Sequence, residues 1–112
     1  MSAIVGTIRW SAPESFQEGF RYSEKSDVFS FGIVLWEIIA RQVPFKGMKA
    51  TQVITEMVEH QARPPIPIEC DNDFEKLICQ CWHVSPNVRP NFKEIHNIIS
   101  DILDRVKNES LF

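Results

Sequence analysis

The side chains best suited to chemistry in this 112-residue chain cluster late, as Cys70, Cys79, Cys81 and His83. Thiolates and an imidazole are the usual ligands of a tetrahedral zinc ion. The spacing opposes that reading. Cys79 and Cys81 stand two apart in a stretch with helical periodicity, so they face different directions, and Cys81 falls on the apolar stripe. No metal site is expected. Phosphate binding by a glycine-rich loop is also excluded, since the four glycines, Gly6, Gly19, Gly32 and Gly47, are dispersed. Two acids remain as candidates. Glu14 follows Ala12-Pro13, and Asp27 opens a long apolar run.

The elements that position these groups read as helices. Residues 1–22 read as loop, with a helical turn after Pro13 that ends at Gly19. Ser23 is a plausible N-cap for a helix running to about Arg41. Its apolar residues, among them Val28, Phe29, Ile33, Val34, Trp36 and Ile38, cover every face. That pattern predicts a central helix buried all round. Pro44 and Gly47 break it. From Ala50 to about His60, Ala50, Val53, Ile54, Met57 and Val58 keep the spacing of a one-sided amphipathic helix. Arg63-Pro64-Pro65-Ile66-Pro67 cannot be helical and is expected to be extended. A third helix starts after Asp71, Asn72 or Asp73 and carries Phe74, Leu77, Ile78, Cys81 and Trp82. Asn91 with Glu94 forms a capping box ahead of a last helix, whose expected stripe is Phe92, Ile95, Ile99, Ile102, Leu103 and Val106. The expected fold is all-α, one buried central helix with three around it.

Composition bounds the function. Hydrophobic residues make up 44% and charged residues 24%, ordinary for a globular domain. A net charge of −3 argues against a dedicated nucleic-acid or anionic-membrane surface. No apolar run reaches membrane-spanning length. Three cysteines with no secretory signal ahead of them fit a reducing, cytoplasmic setting.

Four motifs in order add a resemblance. Gly6-Thr7-Ile8-Arg9-Trp10-Ser11-Ala12-Pro13-Glu14 resembles the end of the protein-kinase activation loop, which closes on Ala-Pro-Glu. Ser26-Asp27-Val28-Phe29-Ser30-Phe31-Gly32 with Leu35-Trp36-Glu37 resembles the central helix of the kinase C-terminal lobe. Val43-Pro44-Phe45 resembles the turn after it. Cys81-Trp82 with Pro86, Arg89, Pro90 and Phe92 resembles the last kinase subdomain.

The resemblance implies a partial kinase domain over 1–112, starting at the end of the activation loop. None of His60, His83 or His96 is followed by Arg-Asp, and Asp73-Phe74-Glu75 has no turn glycine. The N-terminal lobe, catalytic loop and Asp-Phe-Gly are therefore expected to be missing from these residues. Full-length relatives use ATP and magnesium to phosphorylate protein substrates in signal transduction. This chain is expected to hold no cofactor, to contain no catalytic residue and to be inert alone. Gly6-Thr7 resembles serine/threonine kinases, whereas Ile8-Arg9-Trp10 and Cys81-Trp82 lean towards tyrosine kinases. Both together resemble the tyrosine-kinase-like group. The alternatives are a fragment of a true tyrosine kinase and a non-catalytic, pseudokinase-like interaction module.

Roles follow by resemblance only. Gly6, Thr7, Ile8, Arg9 and Trp10 match the loop that cradles substrate. Glu14 and Arg89 match a buried structural ion pair. Asp27 matches the central-helix acid that anchors the catalytic loop, again in a buried structural role, and also reads as a helix-start acid favoured by the dipole. Ser2 lies where activation-loop phosphosites occur. The expected partners are a protein substrate or the missing part of a kinase, with self-association through exposed central-helix surface. Arg63, Pro64 and Pro67 also match a PxxP pattern for SH3 docking.

Overall fold

The computed structural model describes residues 8–110. Among them are four α-helices and no strand: α1 (Glu24–Ala40), α2 (Ala50–Glu59), α3 (Asn72–Cys81) and α4 (Phe92–Ser110). Short 3-10 turns at Ile8–Trp10, Pro13–Phe16 and Pro86–Val88 punctuate the loops. The turn after Pro13 was expected; the one at Ile8–Trp10 carries no sequence signal of its own. The radius of gyration is 15.0 Å, against about 13 Å for a compact domain of this length. The described part is elongated, with extents of 50 × 29 × 24 Å.

Local chemistry fixes most helix ends. Ser23 occupies the position before α1 but makes no side-chain cap; its carbonyl accepts from the Ser26 N–H instead. Side chains from the first turn reach another element: the Glu24 carboxylate accepts from the Phe92 N–H at 2.9 Å, and Lys25 donates to the Arg89 carbonyl. At the other end Arg41 adopts a left-handed conformation (φ 56°) and its N–H returns to the Glu37 carbonyl. The Gln52 side chain accepts from Lys49 N–H ahead of α2. Asp71 caps α3 by accepting from the N–H groups of Asp73 and Phe74. The capping box before α4 is complete. Asn91 Oδ1 accepts from Glu94 N–H at 2.8 Å, and Glu94 Oε1 from Asn91 N–H at 3.3 Å.

The core has two parts divided by α1. One holds Phe29, Ile33 and Trp36 against Val53 and Met57 of α2, Ile78 of α3, Trp82, Ile8 and Ala12. The other joins Val28 to Leu77, Cys81 and Ile95 of α3 and α4, with Phe31 and Leu35 at its edge. Gly32 lies where α1 crosses α3.

Two expectations need correction. The all-round burial read from the linear pattern of α1 fails, whereas the exposed central-helix surface also expected is present: Val34 and Ile38 are exposed, Ile38 to 66%. No described element covers that face. On α4 the buried line is Ile95 and Ile102 with half-buried Ile98, whereas Phe92, Leu103 and Val106 are exposed. The expected stripe therefore holds at Ile95, half-buried Ile99 and Ile102 and fails at Phe92, Leu103 and Val106, because α4 is packed on one side only.

Candidate functional site

The best-defined polar site joins the N-terminal turns to the loop before α4. Arg89 is buried and Glu14 is 19% exposed, with Arg89 Nη1 2.7 Å from Glu14 Oε2. A second bond runs from Nη2 to Glu14 Oε1 at 2.9 Å. Planar fork meets planar carboxylate, the geometry that lysine cannot reproduce. The other Arg89 donors reach the carbonyls of His83 at 2.8 Å and Lys25 at 2.9 Å. Burial pushes the Glu14 carboxyl up, but the Arg89 hydrogen bonds and charge, a backbone N–H and Ser26 outweigh it. They hold it below its ordinary value of 4.5. The arrangement is a cross-brace between chain segments 75 residues apart, with nothing in it set up to move a proton.

Arg63 completes this centre, and sequence reasoning missed its part. Its guanidinium and that of Arg89 each lie 5.0 Å from the centre of the Phe29 ring, within cation–π range. Arg63 Nε donates to the Trp82 carbonyl at 2.9 Å. Burial, and then the Arg89 charge, lower its pKa to about 10. The only sequence signal was its place before Pro64. That placement also removes the SH3 reading, since Pro64 is buried and the Pro65 carbonyl accepts from Trp36 Nε1 at 2.8 Å.

The loop assigned to substrate is described from Ile8 onwards; Ser2, Gly6 and Thr7 lie outside the described residues. Ile8 is buried, while Arg9 and Trp10 are half-buried. Arg9 Nη1 donates to the carbonyls of Pro44 (3.2 Å) and Phe45 (2.5 Å), and Nη2 to that of Met48 (2.5 Å). Trp10 Nε1 donates to Glu37 Oε1 at 3.0 Å, and the Trp10 carbonyl accepts from Ser30 Oγ at 2.6 Å. This segment is thus fastened to α1 and to the loop after α1.

Asp27 lies beside Ser26 and Ser30 in a shallow pocket and joins neither set of bonds. It is exposed, not buried as the resemblance implied, and accepts a hydrogen bond from the Tyr22 hydroxyl. That bond, ahead of burial and the Asp27 charge, raises the Tyr22 pKa. Asp27 lies in the first turn of α1, where its charge also meets the positive end of the helix dipole. For metals, no cluster of three ligating side chains exists among the described residues. Burial pushes the Cys81 thiol up to about 12, the opposite of what a thiolate ligand requires.

A sequence model of the protein tyrosine and serine/threonine kinase family matches residues 2–99. The chain belongs to that family. Among its relatives, it is 45% identical over 91 residues to a Dictyostelium discoideum chain named as the probable serine/threonine-protein kinase drkC, covering 81% of this chain and 12% of that one. It is 41% identical over 103 residues to the serine/threonine/tyrosine-protein kinase HT1 of Arabidopsis thaliana, covering 92% and 26%. To the Drosophila melanogaster mitogen-activated protein kinase kinase kinase 7 it is 39% identical over 98 residues, covering 88% and 14%. The chain therefore spans about a quarter or less of the length of these curated relatives. All three alignments cover most of this kinase-family chain, and the four-helix arrangement is compatible with part of a kinase C-terminal lobe. No described helix is long and apolar enough to cross a membrane.

Proposed function

We propose that these residues, 1–112, form the substrate-side platform of a tyrosine-kinase-like serine/threonine kinase. The parent transfers the γ-phosphate of Mg-ATP to a protein hydroxyl and serves signal transduction in the cytoplasm. The observation that carries the reading is the fastening of Ile8–Trp10, with Arg9 held on three carbonyls and Trp10 on Glu37. A loop that must present a peptide in one register needs that rigidity. Glu14 and Arg89 act as a structural brace, and Asp27 is left at the surface as the anchor for a catalytic loop. Ser2 is assigned as a phosphosite on its position in the sequence alone. Free Cys70, Cys79 and Cys81 suit a reducing compartment.

The same reading makes the 112 residues inert by themselves. Phosphoryl transfer needs metal-holding acid and amide groups, a lysine on the phosphates and a base at the acceptor hydroxyl. No motif in the sequence supplies these. Calorimetric titration with Mg-ATP and a radiolabel assay on generic protein substrates should both give nothing. Saturable binding with labelled product that disappears in Glu14→Ala would overturn the reading; product that survives it identifies a contaminating kinase.

A second reading, a non-catalytic interaction module, is favoured by the exposed Val34 and Ile38 on α1. Sequencing the transcript upstream of residue 1 separates the two. An in-frame glycine loop, lysine strand and catalytic loop support the first; stop codons or unrelated sequence support the second.

A further inference from the structure

Residues 38–55 hold Arg41, Lys46 and Lys49 and no acid, in a chain whose net charge is −3. All three side chains are exposed, and among the described residues none pairs with a carboxylate. The acid nearest Arg41 in sequence, Glu37, accepts from Trp10 Nε1 instead. Local stability does not account for these cations. Lys49 stands immediately ahead of α2, whose first turn has no acid, so its charge meets the positive end of that helix dipole. Arg41 is the left-handed residue that ends α1. Lys46 follows Phe45 in a turn closed by the Met48 N–H on the Phe45 carbonyl at 3.1 Å. The same loop is fastened to Ile8–Trp10. Arg9 holds the carbonyls of Pro44, Phe45 and Met48, on both sides of Lys46 and next to Lys49. Arg41 lies one helical turn, about 6 Å along the axis, beyond the Glu37 that holds Trp10.

We propose that Arg41, Lys46 and Lys49 select protein substrates with acidic residues beside the acceptor hydroxyl, an inference that rests on reading Ile8–Trp10 as the substrate platform. A peptide laid on that platform runs beside the Pro44–Lys49 loop, because Arg9 joins the two. An extended chain advances about 3.3 Å per residue, so acids within roughly four residues of the acceptor fall along the loop. Exposed cations without partners steer an acidic chain inwards and lose no existing ion pair when its carboxylates arrive. A basic substrate meets three like charges there and is disfavoured. Three cations between residues 41 and 49, in a chain of net negative charge, suit a short acidic peptide. A nucleic acid would call for a broader basic face.

The probes are two acetylated, amidated peptides centred on serine, one with glutamates on both flanks and the other with lysines. Each is titrated into the isotope-labelled 112-residue chain at low salt and followed by amide NMR. The glutamate peptide should give saturable shifts at residues 8–10 and 46–49. It should bind about tenfold more tightly than the lysine peptide, the scale of several exposed charge pairs, and added salt should weaken it. The chain carrying Arg41→Gln, Lys46→Gln and Lys49→Gln, all at exposed positions, should keep its helical circular dichroism and retain a preference of about twofold or less. Lys76→Gln with Lys93→Gln, on α3 and α4, should leave the preference unchanged. Shifts at residues 8–10 of equal strength with both peptides would overturn the acidic preference and leave the platform standing. Shifts at 46–49 without any at 8–10, or no saturable shifts, would overturn the platform reading and this proposal with it. A preference that survives the triple substitution, or a single-stranded oligonucleotide that binds these residues more tightly than the glutamate peptide, would overturn the proposal as well.

Discussion

Gly32 of α1 approaches Cys81 of α3 so closely that a methyl group on Gly32 would lie 2.8 Å from Cys81 Cβ. The two helices make the most extensive contact among the described elements, and glycine is what allows it. The obstructing atom is fixed to a helix backbone and cannot swing aside. Gly32→Ala should therefore destabilise the fold by about 1–3 kcal/mol despite the better helix propensity of alanine. Urea denaturation checks this; a gain in stability would mean that the helices separate at little cost.

The Glu14–Arg89 brace should dominate the response to acid. Removing Arg89 leaves a carboxylate largely out of water without its partner, and Arg89→Ala should cost about 3–5 kcal/mol. Arg89→Lys should recover only part, since one ammonium cannot fork onto both oxygens and reach the His83 carbonyl as well. The folded carboxyl of Glu14 sits below its ordinary 4.5. Its stabilisation is present above that ordinary value and is lost as pH falls through the lowered folded one. The stability gap between the natural chain and Glu14→Gln should be widest near neutrality and close in acid. Denaturant midpoints across that range decide it; a gap that widens in acid contradicts the assignment.

Arg9 gives a local effect. It satisfies the carbonyls of Pro44, Phe45 and Met48, in a loop where Phe45 and Gly47 both hold positive φ. Arg9→Met should expose those carbonyls, costing about 1–3 kcal/mol. Amide hydrogen exchange should accelerate at residues 45–49 before it does in α1. Uniform acceleration throughout the chain would show that Arg9 supports the whole fold and not this loop.

Thiol chemistry should separate the cysteines. Cys79 is exposed, whereas Cys70 and Cys81 are buried, and burial pushes all three thiols up, Cys81 to about 12. A colourimetric thiol reagent should modify one site in the folded chain and the other two only on unfolding. Prompt reaction at Cys81, located by mass spectrometry, would show that α1 and α3 part readily.

Much of this was legible because local chemistry carries it. The Asn91–Glu94 capping box, the proline and glycine break after α1, and the one-sided spacing of α2 and α3 are encoded within a few residues. Burial was harder to read. Val34 and Ile38 look like core in a linear pattern, but burial requires a neighbour, and no described helix lies over them. Arg63 was hidden for a related reason: its partners, Phe29 and the Trp82 carbonyl, lie 34 and 19 residues away. Arg105 of α4, which bonds Asp71, Asp73 and Glu109, joins α3 and α4 in the same way, and only its Glu109 contact has a local signature.

The exposed apolar faces yield the last prediction. Val34 and Ile38 line one side of α1, and Phe92, Leu103 and Val106 one side of α4; all five are exposed, Leu103 to 57%. Phe31 and Phe92 meet edge-on with ring centres 6.0 Å apart, so the two stripes join at that end. Exposed apolar side chains grouped on helix faces, and not scattered singly, mark an association surface. The purified chain should therefore self-associate, with a weight-average mass that rises with concentration. Each of Ile38→Lys and Leu103→Glu should shift that equilibrium towards monomer by about tenfold or more, since burying an unpaired charge in an apolar contact costs well over 1.4 kcal/mol. Neither position is in the core, so thermal stability at low concentration should change little. Sedimentation velocity over a hundredfold range of concentration is the measurement. A natural chain that stays monomeric throughout, or association indifferent to both substitutions, would rule out this surface as the contact.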